Sequence, residues 1–259
     1  MADVQDIDLT GIRALVTGGT SGLGLAMADA LARAGAAVAL TSRSAERAGA
    51  AAATLPAAIG IAADSQDEAA VARAVDEAWS RLGGIDLLVN NAGLGMKTVN
   101  PRFMTEPIGF WQVPVDSFEA VLGTDLTGYF LMAREVVPRM LAAGGGRIVN
   151  ISMNHATMNR RGFVPYGPAR AGAEALSRIM AADLNGTGIT VNILLPGGAT
   201  LTGMMPPEED RPPHLAALDP AVMGPPIVWL ASDEAADVHD ERIVAVEFEC
   251  WLRERNGRG

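Results

Sequence analysis

Tyr166 and Arg170 stand four residues apart, the spacing that puts two side chains on one face of a helix. A guanidinium on that face would stabilise a tyrosinate, by at most about 4 kcal/mol at roughly 4 Å and an effective dielectric of about 20. A second constellation is rich in glycine. The run RALVT leads into Gly18-Gly19-Thr20-Ser21-Gly22-Leu23-Gly24 and then into the apolar stretch LAMADALARA. A strand, glycine turn and helix in that order bring backbone amides close to a pyrophosphate, and the helix N-terminus adds aligned N–H donors. Glycines alone would also make an ordinary turn; the flanking strand and helix favour a dinucleotide. Arg160-Arg161, shortly before Tyr166, offer cations to an anionic substrate group or simply border a solvated loop. His155, His214 and His239 have no metal-ligand spacing with one another or with Cys250, so no metal is expected.

These residues need a scaffold, and the pattern of the chain supplies one. Short β-rich runs at 13–17, 37–41, 59–62, 87–90, 147–152, 190–195 and 243–248 alternate with helical stretches at 23–34, 45–54, 66–82, 115–141, 166–184 and 221–231. Seven strands and six helices in strict alternation predict an α/β fold, a doubly wound parallel sheet with helices on both faces. Ligands bind such sheets beyond the carboxyl ends of the strands, near the switch in strand order. Two long segments interrupt the alternation. Residues 94–114 carry Met96, Phe103, Met104, Phe110 and Trp111; residues 203–220 are rich in proline and acids, with Met204 and Met205 at the start. Both follow strand ends on the ligand side, and the second is expected to act as a substrate lid, with a solvated surface excursion as the alternative.

Composition narrows the classes of function. With 259 residues and one cysteine, the chain can bury a core without disulfides, and a reducing compartment, the cytoplasm, is expected. The start, MADVQDIDLTG, lacks the basic and apolar regions of a signal peptide. A net charge of -10 argues against nucleic acid as a partner, and no apolar run is long enough to span a membrane. The whole chain, 1–259, is therefore expected to form one dinucleotide-binding domain.

Four motifs in order resemble those of the short-chain dehydrogenase/reductase family, a Rossmann-fold family. Thr17 to Gly24 matches its TGxxxGxG turn, and Asn90-Asn91-Ala92-Gly93 its NNAG at the end of the fourth strand. Tyr166 opens the helix after the fifth strand, and Pro196-Gly197 follows the sixth. The resemblance implies a nicotinamide cofactor held by Gly18, Thr20, Ser21, Gly22, Leu23 and Gly24, by Asn91, Ala92 and Gly93, by Tyr166 and Arg170, and by Pro196 and Gly197. Asp64 is similar to the family residue at the adenine ring, and either Thr200 or Thr202 to the threonine at the nicotinamide end. Ser42 stands where NAD-preferring members carry an acid, and Arg43 offers a cation to a 2′-phosphate, so NADP(H) is expected over NAD(H).

The family's catalytic pattern is met only in part. Its members use Tyr, a Lys four residues later, a Ser ending the fifth strand and an Asn in the fourth helix. Tyr166 fits; Arg170 replaces the Lys, Met153 the Ser and Asp125 the Asn. Arg170 stays cationic but is a poor proton relay, and Met153 cannot donate a hydrogen bond. Ser152, expected on the opposite face, and Asn154 and His155 are the nearby polar substitutes. Asp125 and Arg170 either pair, in a bidentate geometry that would partly neutralise the cation seen by Tyr166, or have drifted independently in a site that tolerates both changes. The resemblance implies an NADP(H)-dependent oxidoreductase acting on a small, apolar carbonyl or alcohol. A nucleotide-binding homologue without turnover and a non-redox isomerase or dehydratase are the alternatives. A homodimer or homotetramer is expected, with the long helices after strands four and five at the interface.

Overall fold

The computed structural model describes residues 6–257. Its sheet is built from β1 (Arg13–Val16), β2 (Ala37–Ser42), β3 (Ala58–Ala62), β4 (Leu87–Asn90), β5 (Gly146–Ile151), β6 (Ile189–Leu195) and β7 (Arg242–Val244). All pairings are parallel, in the order β3-β2-β1-β4-β5-β6-β7. Strands such as LLVN in β4 are buried throughout, as a sheet covered on both faces requires. On one face α1 (Gly22–Arg33) and α8 (Gly224–Ala231) pack through Met27, Leu31, Ile227 and Leu230 against Val16, Leu40 and Val89. On the other, α3 (Glu68–Leu82) and α5 (Gly128–Ala143) cover Leu15, Leu88 and Ile148 with Val71, Val75, Met132 and Val136. α2 (Ala45–Ala52) and α7 (Tyr166–Leu184) complete the layers.

Three elements depart from the sequence expectation. The helical stretch at 115–141 is α4 (Val115–Leu122) and α5, joined by a π turn at Gly123–Thr127. Gly123 opens that turn against the side chain of Gln66, and Gly128 follows it against Ser65, where a Cβ would not fit. A short helix, α6 (His155–Met158), follows β5. The last strand ends at Val244 rather than running through 248, and the chain turns into α9 (Phe248–Asn256). Phe248, Trp251 and Leu252 have helical spacing, and Phe248 and Trp251 stack with each other and pack on Trp229, which outweighs the β-rich apolar run at 243–246. Among the described residues no helix is long and apolar enough to cross a membrane, and no cluster of His, Cys, Asp or Glu could hold a metal.

Candidate active site

A cavity of about 420 Å³ opens at the carboxyl ends of the strands, where the order switches between β1 and β4. The turn after β1 and the end of β4 are sewn together. Thr17 Oγ1 accepts from the backbone N–H of Asn91 (2.9 Å) and Ala92 (3.0 Å), and Asn91 Nδ2 donates to the carbonyl of Thr17 (2.8 Å). A Cβ on Gly24 would strike the Gly18 carbonyl and Asn91 Nδ2, so only glycine lets the helix start this close to the turn. No side chain caps the N-terminus of α1. Its first N–H groups are therefore left for another acceptor. These features fit a dinucleotide phosphate. Every residue that the sequence assigned to the cofactor borders this cavity.

Beyond β2 the wall carries Arg43 and also Arg47, which sequence reasoning missed. Among the described residues neither guanidinium has an ion-pair partner. At the other end Phe103, Phe163, Met96, Met153 and Met158 form a small apolar cluster on which Tyr166 and Met104 pack. Met204, Met205 and Leu215 from 203–220 join that wall. The root of that loop is tied by a bridge between Thr200 and Leu218. Met96, Phe103 and Met104 of 94–114 line the cavity, whereas Phe110 and Trp111 stand 70% and 75% exposed and do not.

Arg170 lies on α7 one turn beyond Tyr166, buried, with its guanidinium 5.1 Å from the Tyr166 ring centre. Asp125, in the π turn and fully buried, places Oδ2 3.0 Å from Arg170 Nη2. The two do pair, but not in the bidentate form expected. Asp125 Oδ1 accepts from the Leu94 N–H (2.6 Å), while Arg170 Nη1 donates to Tyr129 Oη (2.5 Å) and to the Ile151 carbonyl (2.7 Å). The 3.0 Å contact is an ion pair without hydrogen-bond alignment, leaving Asp125 Oδ2 and Arg170 Nε with no aligned partner. Gly93 makes room for the pair, since a Cβ there would strike Arg170 Nη2 and lie 2.9 Å from Asp125 Oδ2. Burial pushes the Asp125 carboxyl up to about 6, against the opposing pull of Arg170 and the Leu94 N–H. Burial also raises the Tyr129 phenol well above its ordinary value, so it meets Arg170 as a neutral hydroxyl. Asp125 itself does not border the cavity; it reaches the site through Arg170.

The polar substitutes near Met153 are already engaged. Ser152 Oγ donates to Glu174 Oε1 (2.5 Å), as the alternation of the strand anticipates, and Asn154 Nδ2 donates to the Gly197 carbonyl (2.9 Å). His155 Nε2 sits 2.9 Å from Glu174 Oε2, and Arg242 Nε donates to both Glu174 oxygens. Burial works against the Glu174 charge, but these partners hold its carboxyl below the ordinary range. Glu174 and Tyr129 carry no sequence motif; Tyr129 could have been noticed as one of only two tyrosines, four residues after Asp125.

A family model described as short chain dehydrogenase matches residues 13–212. The chain belongs to the short-chain dehydrogenase/reductase family. It is similar to the 2-dehydro-3-deoxy-L-rhamnonate dehydrogenase (NAD(+)) of Sphingomonas sp. (strain SKA58), 37% identical over 183 residues that cover 71% of this chain and 70% of that one. Among solved structures, it resembles a dehydrogenase/reductase from Sinorhizobium meliloti 1021 (TM-score 0.79, 32% identity, 93% of this chain and 96% of that one). It also resembles a short chain dehydrogenase from Burkholderia cenocepacia J2315 in complex with NADP (TM-score 0.78, 31% identity, 91% and 96%). As a short-chain dehydrogenase/reductase, the chain is an oxidoreductase built on a nicotinamide-binding fold.

Proposed function

We propose that this short-chain dehydrogenase/reductase is an NADP(H)-dependent enzyme that interconverts a small, largely apolar carbonyl compound and its alcohol. The observation that carries this reading is one continuous cavity, from the glycine turn and the unpaired Arg43 and Arg47 to Tyr166 and the Met/Phe wall. Relatives include one named for NAD(+) and one bound to NADP, so the preference rests on the residues beyond β2. There Ser42 offers no carboxylate to repel a 2′-phosphate, and two guanidinia are available to receive it. When bound, the nicotinamide accepts or returns the hydride of the alcohol carbon.

The remaining work falls to the chain. Tyr166 takes the hydroxyl proton as the alcohol is oxidised and returns it on reduction. Arg170 keeps its charge beside the Tyr166 ring, fixed by Asp125, Tyr129 and the Ile151 carbonyl. It polarises the site but cannot deprotonate, so it passes no proton onward. Met153 offers the substrate oxygen no hydrogen bond, which leaves the Tyr166 hydroxyl as its principal donor. The lining of Met153, Phe103, Met204 and Met205 excludes water and selects an apolar substrate. Exposed Phe130, Leu141 and Ile179 on α5 and α7 support assembly of a homodimer or homotetramer through those helices, and the single cysteine supports a cytoplasmic location.

A turnover screen with aliphatic and aryl ketones, read as loss of NADPH absorbance, tests this function. Reduction of at least one apolar ketone is expected, with Tyr166→Phe lowering kcat about 10²- to 10⁴-fold. Activity that survives Tyr166→Phe intact removes the proposed role.

A further inference from the structure

The cavity wall is basic, although the chain carries a net charge of -10. Arg43, Arg47, Arg160 and Arg170 border it, against the single carboxylate of Asp64. Arg170 is consumed by Asp125, and Arg43 and Arg47 stand at the far end beside β2. Arg160 remains. It follows α6, its guanidinium lies 5.3 Å from the Phe163 ring centre, and it makes no ion pair among the described residues. Phe163 in turn packs edge-on against Phe103 at 5.6 Å, inside the apolar cluster that Tyr166 and Met153 share.

A cation is thus seated on the aromatic wall of the chamber that holds the proton donor. Stacking on Phe163 holds one face of the guanidinium and leaves its N–H fork open, the geometry that grips a carboxylate by two parallel bonds. We infer that Arg160 is a substrate anchor, and that the substrate is a keto acid or hydroxy acid with a short apolar body between its carboxylate and its reacting carbon. The inference rests on the reading of this chamber as the substrate site. A single unpaired guanidinium matches one carboxylate charge; a phosphate dianion would call for more.

The test compares levulinate and its next two longer homologues with their methyl esters and with a keto phosphate of matched length. The proteins are wild type, Arg160→Gln, Arg160→Lys and Arg161→Gln, the last an exposed neighbour that does not border the cavity. Wild type is expected to favour acid over ester in kcat/KM, and Arg160→Gln to cut that ratio about 10- to 100-fold, chiefly through KM. Arg160→Lys should keep part of the preference and Arg161→Gln all of it. The preference should also shrink as salt is added, since Arg160 is exposed. A ratio that Arg160→Gln leaves unchanged overturns the anchor while the oxidoreductase reading stands, and so does dependence on Arg160 confined to the keto phosphate. If no carbonyl compound is reduced, the oxidoreductase reading falls, and the anchor is judged by calorimetric titration of the NADPH-loaded protein with hexanoate and hexanol. Hexanoate binding that Arg160→Gln weakens by the same factor, with hexanol unaffected, supports the anchor; hexanoate binding that is absent or no weaker in the variant overturns it.

Discussion

Raising the pH through about 6 should cost this protein stability at one identifiable carboxyl, that of Asp125. Burial lifts it from an ordinary 3.8 to about 6 even with Arg170 alongside. The folded state therefore holds this proton more tightly than the unfolded chain does. The contribution favours folding fully below pH ~4 and is lost as pH rises through about 6. The gap corresponds to about 3 kcal/mol, and full burial means that solvent does not screen it away. Asp125→Asn keeps an acceptor for the Leu94 N–H but cannot titrate, so it serves as the reference. Urea unfolding of both proteins at matched concentration, at pH ~4 and pH ~7.5, reads the difference, in which all other carboxyls cancel. Relative to the variant, wild type should lose roughly 2 kcal/mol over that interval. Parallel pH curves would refute the reasoning. A wild type that gains stability with pH relative to Asp125→Asn would show that the attraction of Arg170 outweighs burial.

Replacing Arg43 and Arg47 together by Gln should raise KM for NADPH about 10- to 100-fold and leave KM for NADH within about 3-fold; an equal effect on both cofactors would remove the 2′-phosphate assignment. Met153→Ser restores a hydroxyl at the apolar wall beside Tyr166, and kcat for a ketone substrate should rise about 10-fold or more, below the 10²–10³ that a preorganised donor supplies. A serine variant no faster than wild type would mean that the substrate oxygen does not approach residue 153.

Much of this architecture is legible because it is written in local chemistry. The glycine turn, the short, largely apolar strands and the helix beginning at Tyr166 each obey a rule that operates within a few residues, and their order gives the parallel sheet and its ligand edge. Arg170, Asp125 and Met153 are visible for the same reason, each at a fixed count from a motif. Tyr129 is not visible: its role depends on a π turn that lies against Ser65 and Gln66, more than 50 residues away in sequence. The sharing of Asp125 between Arg170 and the Leu94 N–H likewise depends on where the chain lies after β4. Arg47 needed the turn of α2 to bring it to the wall with Arg43, and the end of β7 was hidden because the apolar, largely β-branched run at 243–246 reads like a strand until Phe248 meets Trp229.

The π turn between α4 and α5 carries one residue more than an uninterrupted helix would. Each residue of an α-helix advances the direction of its side chain by about 100°, so the extra residue acts as a rotational offset between the two halves. It lets α5 present Met132 and Val136 to the sheet while Asp125 is aimed at Arg170. Insertions and deletions here are therefore not graded versions of substitutions. Removing any one residue of Gly123–Thr127 would turn one half by more than a quarter revolution, forcing a choice between a packed core and a paired arginine. Lineages sharing this site would keep the length of that segment fixed even where its residue types drift.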